Sequence, residues 1–421
     1  MQLHPFRKTN MRAFENYLLS KYEMYTARER VRSVPYSLTV DASDHCQLMC
    51  PTCPTGIENA AKRAREDGYE VFRQERRMLT PELFASLLEE IGEEVFMIMF
   101  YNWGEPLLNK KLPALIKAAA EHEIFTEIHS NLSLPIPDER IDELLASGLS
   151  ALKASVDGFS QEAYEKNRVG GNVELIKYNL ERLVERRALL GVEVDITWQY
   201  LVFSFNEKEV DDAARFCKAL GIHFNTRDAY LYDPTWLPSY RQHEAPQSVP
   251  ERARNHASFE RIWSPLSMPE GHPVAPTCGW HYGYSAITAG GSLMPCCMAT
   301  RDEDDFGTMI PGETSFTDVW NNTEVQTARS GFARYVKTGE KGDTLCSGCP
   351  YPPTMVQLYS LHDGLIMSRF RQLSEDETHP LHKAFDHLAR ARYGRPLRDL
   401  AYEHIHSVTA ERFMDFGEYP D

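Results

Sequence analysis

Between residues 36 and 230 the chain alternates strand-like apolar runs with amphipathic helical stretches, and this alternation limits its folding more than any other feature. Strands are expected at 36–42, 95–101, 124–130, 150–156, 193–202 and 222–230, with helices at 80–91, 109–122, 138–147, 172–190 and 207–219. Parallel strands need long crossover connections, and an intervening helix supplies one. The alternation therefore implies an α/β fold whose parallel sheet curls into a closed or partial (β/α)6 barrel, TIM-like, with its site at the strand C-termini.

The first strand leads into "DASDHCQLMCPTCPTG", residues 41–56, where Cys46, Cys50 and Cys53 follow one another at spacings of four and three residues. A closed zinc site wants four ligands, and a redox pair wants only Cys-x-x-Cys. An iron–sulfur cube held by three cysteines keeps one iron open to another ligand. Buried apolar cysteine is the plainest alternative, but Pro51 and Pro54 place these thiols in a loop. Turn motifs then follow the later strands in order: "NWGEPLLN" after the second, "HSNLSLP" after the third and "KASVDGFSQEAYEKNRVGGN" from the fourth.

In this order, the motifs resemble the radical S-adenosylmethionine (radical SAM) superfamily over about residues 36–230. The resemblance implies a [4Fe-4S] cluster on Cys46, Cys50 and Cys53 whose open iron is chelated by S-adenosylmethionine (SAM). It implies reductive cleavage of SAM to a 5′-deoxyadenosyl radical, with a flavodoxin- or ferredoxin-type protein as electron donor. Gly104, Glu105 and Pro106 match the family's Gly-Gly-Glu-Pro turn, with Asn102 and Trp103 replacing its usual first residues. Ser130 and Asn131 stand where the family has Thr-Asn-Gly, Ser155 and Asp157 match a ribose contact, and Arg168 matches an arginine aimed at the methionine carboxylate. Gln199, on the fifth strand, completes the expected cofactor-binding set. Thr52 takes a position that is often aromatic in the family, so adenine packing must come partly from elsewhere.

Strand alternation sends every second side chain into the barrel. It places Ser37, Thr39, Asp41, Glu127, His129, Asn131, Lys153, Asp195, Thr197, His223, Asn225 and Arg227 inside with Ser155, Asp157 and Gln199, a lumen that reads as polar throughout. These groups either satisfy one another and ordered water or meet a polar substrate.

A second cysteine set lies beyond a proline-rich linker or lid at 231–277. Cys278 and Cys296 bracket a hairpin with Gly290–Gly291 at its turn, and "CSGC" adds Cys346 and Cys349. Four thiolates suit zinc or a fully ligated iron–sulfur cube. The span 278–352 resembles the twitch form of the SPASM accessory domain, which implies one auxiliary [4Fe-4S] cluster. Of the two cysteines left over, Cys217 reads as helix core. Cys297, beside a ligand, is structural, a hydrogen-atom donor to a substrate radical or a substitute ligand. Residues 1–35 read as an N-terminal helical segment, 58–77 as a charged solvated helix or insertion, and 353–421 as a helical extension.

Lys and Arg number 45 against 61 Asp and Glu, a net charge of −16, which disfavours nucleic acid as a partner. Apolar runs such as "VFMIMF" are far shorter than the roughly 18 residues a membrane helix needs. The N-terminus has no secretory pattern, so the cytoplasm is the expected location. The expected activity is hydrogen abstraction from a polar small molecule, sugar-like or aminocyclitol, leading to dehydrogenation, dehydration or epimerisation. That preference comes from the short stretch, about 35 residues, before the barrel. The alternatives are modification of a peptide or protein side chain, and a non-enzymatic electron-transfer or cluster-scaffold protein.

Overall fold

The computed structural model describes residues 7–25, 27–228, 234–241 and 277–349, and parts of 366–399. Most of the expected linker and of the C-terminal extension lies outside the described residues. Strands β1 (Ser37–Val40), β2 (Met97–Phe100), β3 (Phe125–Ser130), β4 (Ala151–Ser155), β5 (Asp195–Val202) and β6 (His223–Asp228) follow one another across a single parallel sheet. Sequential order with helical crossovers puts the helices on one face and curls the sheet toward a partial barrel.

The crossover helices form for local reasons. Thr80 caps the helix Pro81–Ile91 by accepting from Leu83 N at 3.2 Å, and Pro81 is preset for its first turn. Leu83, Phe84, Leu87, Leu88 and Ile91 form its buried stripe. Asn172 caps Val173–Leu190 through Leu175 N at 3.0 Å, and Gly191, at φ +63°, ends it in the left-handed region. Helices Leu112–Glu121, Asp138–Ala146 and Val210–Leu220 complete the expected crossovers. Two further helices belong to the site loops: Pro54–Ala64, which takes in the start of the charged stretch, and Gln161–Asn167, hidden from periodicity by its shortness.

The hairpin of the second cysteine set continues this same sheet. Strand β7 (Tyr284–Ile287) pairs in parallel with β1, from Ser37 against Tyr284 to Val40 against Ile287. Strand β8 (Leu293–Met294) returns antiparallel, and Gly291, at φ +89°, makes the turn. The sheet order is therefore β6-β5-β4-β3-β2-β1-β7-β8. The accessory region is thus hydrogen-bonded to the strand that leads into the first cysteine loop.

The lumen is graded, which corrects the expectation of polarity throughout. At the N-terminal strand ends, Met97, Met99, Phe125, Ala151, Tyr284 and Ala286 meet Phe14 and Tyr17 from an N-terminal helix, Met11–Tyr25. This helix plugs the inner face from below, so the first inward positions of β2, β3, β4 and β7 are apolar. Those of β1, β5 and β6 are Ser37, Asp195 and His223, and the later positions Glu127, His129 and Lys153 are polar as well. Among the described residues no helix is long and apolar enough to cross a membrane.

Phe14 is fully buried, with its ring centroid 5.0 Å from Phe96 and 5.8 Å from Phe370. Replacing it with alanine empties part of the plug, and Phe14→Ala should cost about 3–5 kcal/mol in anaerobic chemical denaturation. An unchanged denaturation midpoint would mean that the plug does not support the sheet.

Candidate active site

Three cysteines leave β1 in a loop held from several sides. Asn59, on the helix Pro54–Ala64, donates to the carbonyls of Cys46 at 2.8 Å and Leu48 at 2.9 Å. Cys53 stands just before the first turn of that helix, and Gly56 is required there because a Cβ would come within 2.3 Å of the Cys50 carbonyl. Asn131, after β3, directs its amide nitrogen at Cys46 Sγ (3.7 Å) and accepts from Gln47 Nε2 (2.8 Å). Arg168 faces Cys50, and Met49 N bonds the Val169 carbonyl at 2.9 Å. Burial pushes the Cys46 thiol up to about 12 and the Cys50 thiol up to about 11. Thiols buried this way become thiolates when a metal draws off the proton.

The turn after β2 is locked onto this loop. Asp41 Oδ1 accepts from Trp103 N at 3.0 Å and Gly104 N at 3.2 Å. Glu105 N donates to the His45 carbonyl at 2.7 Å. A Cβ on Gly104 would lie 1.5 Å from the Ser43 carbonyl, so only glycine fits. The close approach is thus by the chain's own backbone. Glu105 is buried and accepts from Leu107 N (3.0 Å), Ser130 Oγ (2.7 Å) and Asn131 N (2.8 Å), joining the turns after β2 and β3. Burial raises its carboxyl above the usual range, with those donors acting against the shift.

On the far side, buried Asp157 accepts from Arg168 Nε at 2.6 Å, Asn167 Nδ2 at 2.9 Å and Leu201 N at 3.1 Å. Ser155 is half-buried and lies in register with Gln199, whose Oε1 is buried and without a partner among the described residues. An orphaned acceptor of this kind is one that a bound polar ligand can satisfy.

Within the lumen, Glu127 Oε1 takes hydrogen bonds from His129 Nε2 (2.6 Å) and Lys153 Nζ (2.8 Å). Burial alone would raise the Glu127 carboxyl, yet Lys153 and His129 together hold it well below the carboxylate range. Tyr101 stacks on His129, with ring centroids 4.2 Å apart and planes inclined by 12°. It is a lumen residue that the motif reading passed over, although its parity with Met97 and Met99 marks it as inward.

The second cysteine set gathers on one cavity. Cys278, Cys296, Cys346 and Cys349 line one small apolar cavity, together with residues that include Trp280 and His281. Burial pushes the Cys296 thiol up to about 11. Among the described residues no three His, Cys, Asp or Glu side chains converge on a point suited to one metal ion. Four soft thiols around a volume fit a cluster. Cys297 is not among the residues lining this cavity; it lies within electrostatic reach of Tyr101. The Asn102 amide, turned so that donor meets acceptor, bonds the Cys297 carbonyl at 3.0 Å, and Trp103 Nε1 donates to the Ala299 carbonyl at 2.9 Å. Cys217 is fully buried in helix core, as expected.

A family model described as the radical SAM superfamily matches residues 41–217, and one described as an iron–sulfur cluster-binding domain, SPASM, matches residues 278–350. The chain belongs to the radical SAM superfamily. It is an enzyme of that superfamily carrying a SPASM-type domain, and its cofactors are SAM and [4Fe-4S] clusters at a SAM-binding and an auxiliary centre.

Similar curated proteins include PqqA peptide cyclase of Granulibacter bethesdensis, 24% identical over 300 residues, 68% of this chain and 74% of the relative. PqqA peptide cyclase of Xanthomonas euvesicatoria pv. vesicatoria is 24% identical over 331 residues, 75% of this chain and 80% of that one. GTP 3′,8-cyclase of Aquifex aeolicus is 28% identical over 189 residues, 44% of this chain and 53% of that one. Similar solved structures include BtrN with AdoMet and 2-DOIA, at 15% identity and TM-score 0.42, covering 75% of this chain and 93% of that one. Streptococcus suis SuiB bound to S-adenosylmethionine has 16% identity and TM-score 0.48, covering 76% of this chain and 71% of that one.

Changing Cys46, Cys50 and Cys53 together to alanine should remove one cluster and leave the other, read by iron and sulfide analysis with electron paramagnetic resonance. Loss of both would contradict independent sites. Gly104→Ala, which forces the Ser43 carbonyl aside, should abolish SAM binding in equilibrium dialysis and leave the auxiliary cluster in place. Unchanged SAM affinity would show that the turn after β2 is not held to the cysteine loop in the way described.

Proposed function

We propose that this enzyme modifies a side chain of a peptide or protein substrate held in the barrel lumen. The observation that carries this reading is the alignment with PqqA peptide cyclases, which spans 68–76% of this chain. Those relatives weigh against the sugar-like substrate expected from the sequence, an expectation that rested on the short stretch before β1.

When bound, the open cluster and SAM supply a 5′-deoxyadenosyl radical able to abstract hydrogen from carbon. Cys46, Cys50 and Cys53 would hold that cluster at the C-terminal ends of the strands. Asn131 steadies Cys46, while Asn59 pins the loop backbone. Asn102, Trp103, Gly104 and Glu105 would receive the amino end of SAM, with Ser130 shaping Glu105 from below. Three of the roughly four acceptor positions on the Glu105 carboxylate are already filled, which leaves one for an ammonium. Ser155, Asp157 and Gln199 would contact its nucleoside end, with the unpartnered Gln199 Oε1 open to a donor. Arg168, held through Nε by Asp157 and in contact with Cys50, would offer a remaining guanidinium N–H to the methionine carboxylate. Glu127, His129, Lys153 and Tyr101 line the lumen where a substrate side chain would enter, and Cys278, Cys296, Cys346 and Cys349 would hold the auxiliary cluster. Cys297, outside that set of four and within electrostatic reach of Tyr101, would either serve a structural role or donate a hydrogen atom to a substrate radical. The electron donor in this reading is a flavodoxin- or ferredoxin-type protein.

Anaerobic reductant, SAM and a synthetic peptide library should yield 5′-deoxyadenosine together with a mass change in the peptides that are turned over. Loss of two hydrogens would mark oxidation or ring closure, and gain of one deuterium from deuterated water would mark epimerisation. Turnover of sugars or aminocyclitols, with no peptide in the library altered, would overturn the proposal.

A further inference from the structure

The turn Gly279–His281 carries a histidine that no part of the SAM site uses. His281 is 1% exposed, and its Nε2 lies 3.2 Å from Cys346 Sγ, 65 residues away in the chain. The backbone of this turn is held on both sides and its ring is flanked by aromatic side chains. Its own backbone N–H bonds the Cys278 carbonyl at 3.0 Å. Its carbonyl accepts from Arg329 Nε at 2.9 Å, and Arg329, itself 1% exposed, also donates to the carbonyls of Glu29 (2.7 Å) and Trp320 (3.0 Å). Phe306 and Phe332 flank the imidazole at centroid distances of 6.3 and 6.1 Å. The other ring nitrogen, Nδ1, is buried with no partner among the described residues.

Among the described residues the imidazole has one hydrogen-bonding contact, to a sulfur. Cys346 is one of the four thiols that line the auxiliary cavity. A ligating thiolate carries no proton, so a hydrogen bond between the two atoms requires the proton on Nε2. We propose that His281 tunes the auxiliary cluster by donating an Nε2–H hydrogen bond to the Cys346 sulfur. Such a bond draws negative charge off the thiolate and stabilises the more negative, reduced cluster, which raises its reduction potential. His281 is thereby a positioning residue acting through Cys346, and its backbone bond to Cys278 couples it to a second ligand. The inference rests on the auxiliary cluster and is independent of the peptide reading.

The test is an anaerobic redox titration of the holoenzyme, followed by electron paramagnetic resonance, with iron counted in each sample. His281→Phe removes the donor and keeps an aromatic ring, whereas His281→Gln can present an amide N–H at a similar reach. The expected result is a more negative auxiliary potential in His281→Phe, restored toward the original in His281→Gln, with iron content and the potential of the SAM-binding cluster unchanged in both. An unshifted potential in His281→Phe would overturn the inference. So would loss of one cluster's iron from both variants, which would make His281 a ligand or a structural support. Unmodified protein that holds a single cluster would refute the four-cysteine reading itself, and the inference with it.

Discussion

A buried carboxylate at the end of the first strand holds the active-site loops together. Asp41 is 2% exposed, and one of its oxygens takes both the Trp103 and the Gly104 backbone N–H. Burial, with Asp44 close by, pushes its carboxyl well above the ordinary range, while those two N–H groups act against the shift. A buried acid is tolerated only where such donors are present. The arrangement brings Gly104 against the Ser43 carbonyl and so sets the turn after β2 directly on the cysteine loop. The same turn carries the contact on through Glu105 to Ser130 and Asn131, and through Asn131 to Cys46.

The two cysteine sets are mechanically one assembly. Strand β7 extends the sheet from the free edge of β1, so the accessory hairpin and the first cysteine loop share a hydrogen-bonded strand pair. Asp44, in that loop, accepts from Ala289 N at 3.0 Å in the hairpin. Arg73, beyond the helix Pro54–Ala64, pairs with Asp302 at 3.1 Å and Asp305 at 2.5 Å. Trp103 bonds the Ala299 carbonyl directly. Contacts this many, and partly buried, make the distance between the centres a property of the sheet and not of a linker.

The lumen follows from the same geometry. An ordinary parallel barrel fills its interior with branched apolar side chains. Here the Met11–Tyr25 helix and its aromatic residues do that at one end only. Toward the other end Glu127, His129 and Lys153 satisfy one another, which stabilises a polar interior without a ligand. Tyr101 on His129 lies between this cluster and the Cys297 region.

The sequence by itself determined what repeats or is spaced locally: the six parallel strands and their crossovers, the inward parity of Glu127, His129 and Lys153, the three-thiol loop and the second set of four. These are readable because strand and helix periods and ligand spacings act over a few residues. Tertiary structure alone decided what is brought together across long separations. Ala289 meets Asp44 across 245 residues and His281 meets Cys346 across 65, and no period or spacing encodes either contact. The motif glycine was legible as a turn, but its cause, the Ser43 carbonyl filling the place of a Cβ, was not. The apolar plug was likewise invisible, because it depends on where the N-terminal helix packs. Local pattern sets which face a side chain takes; the path of the whole backbone sets what that face meets.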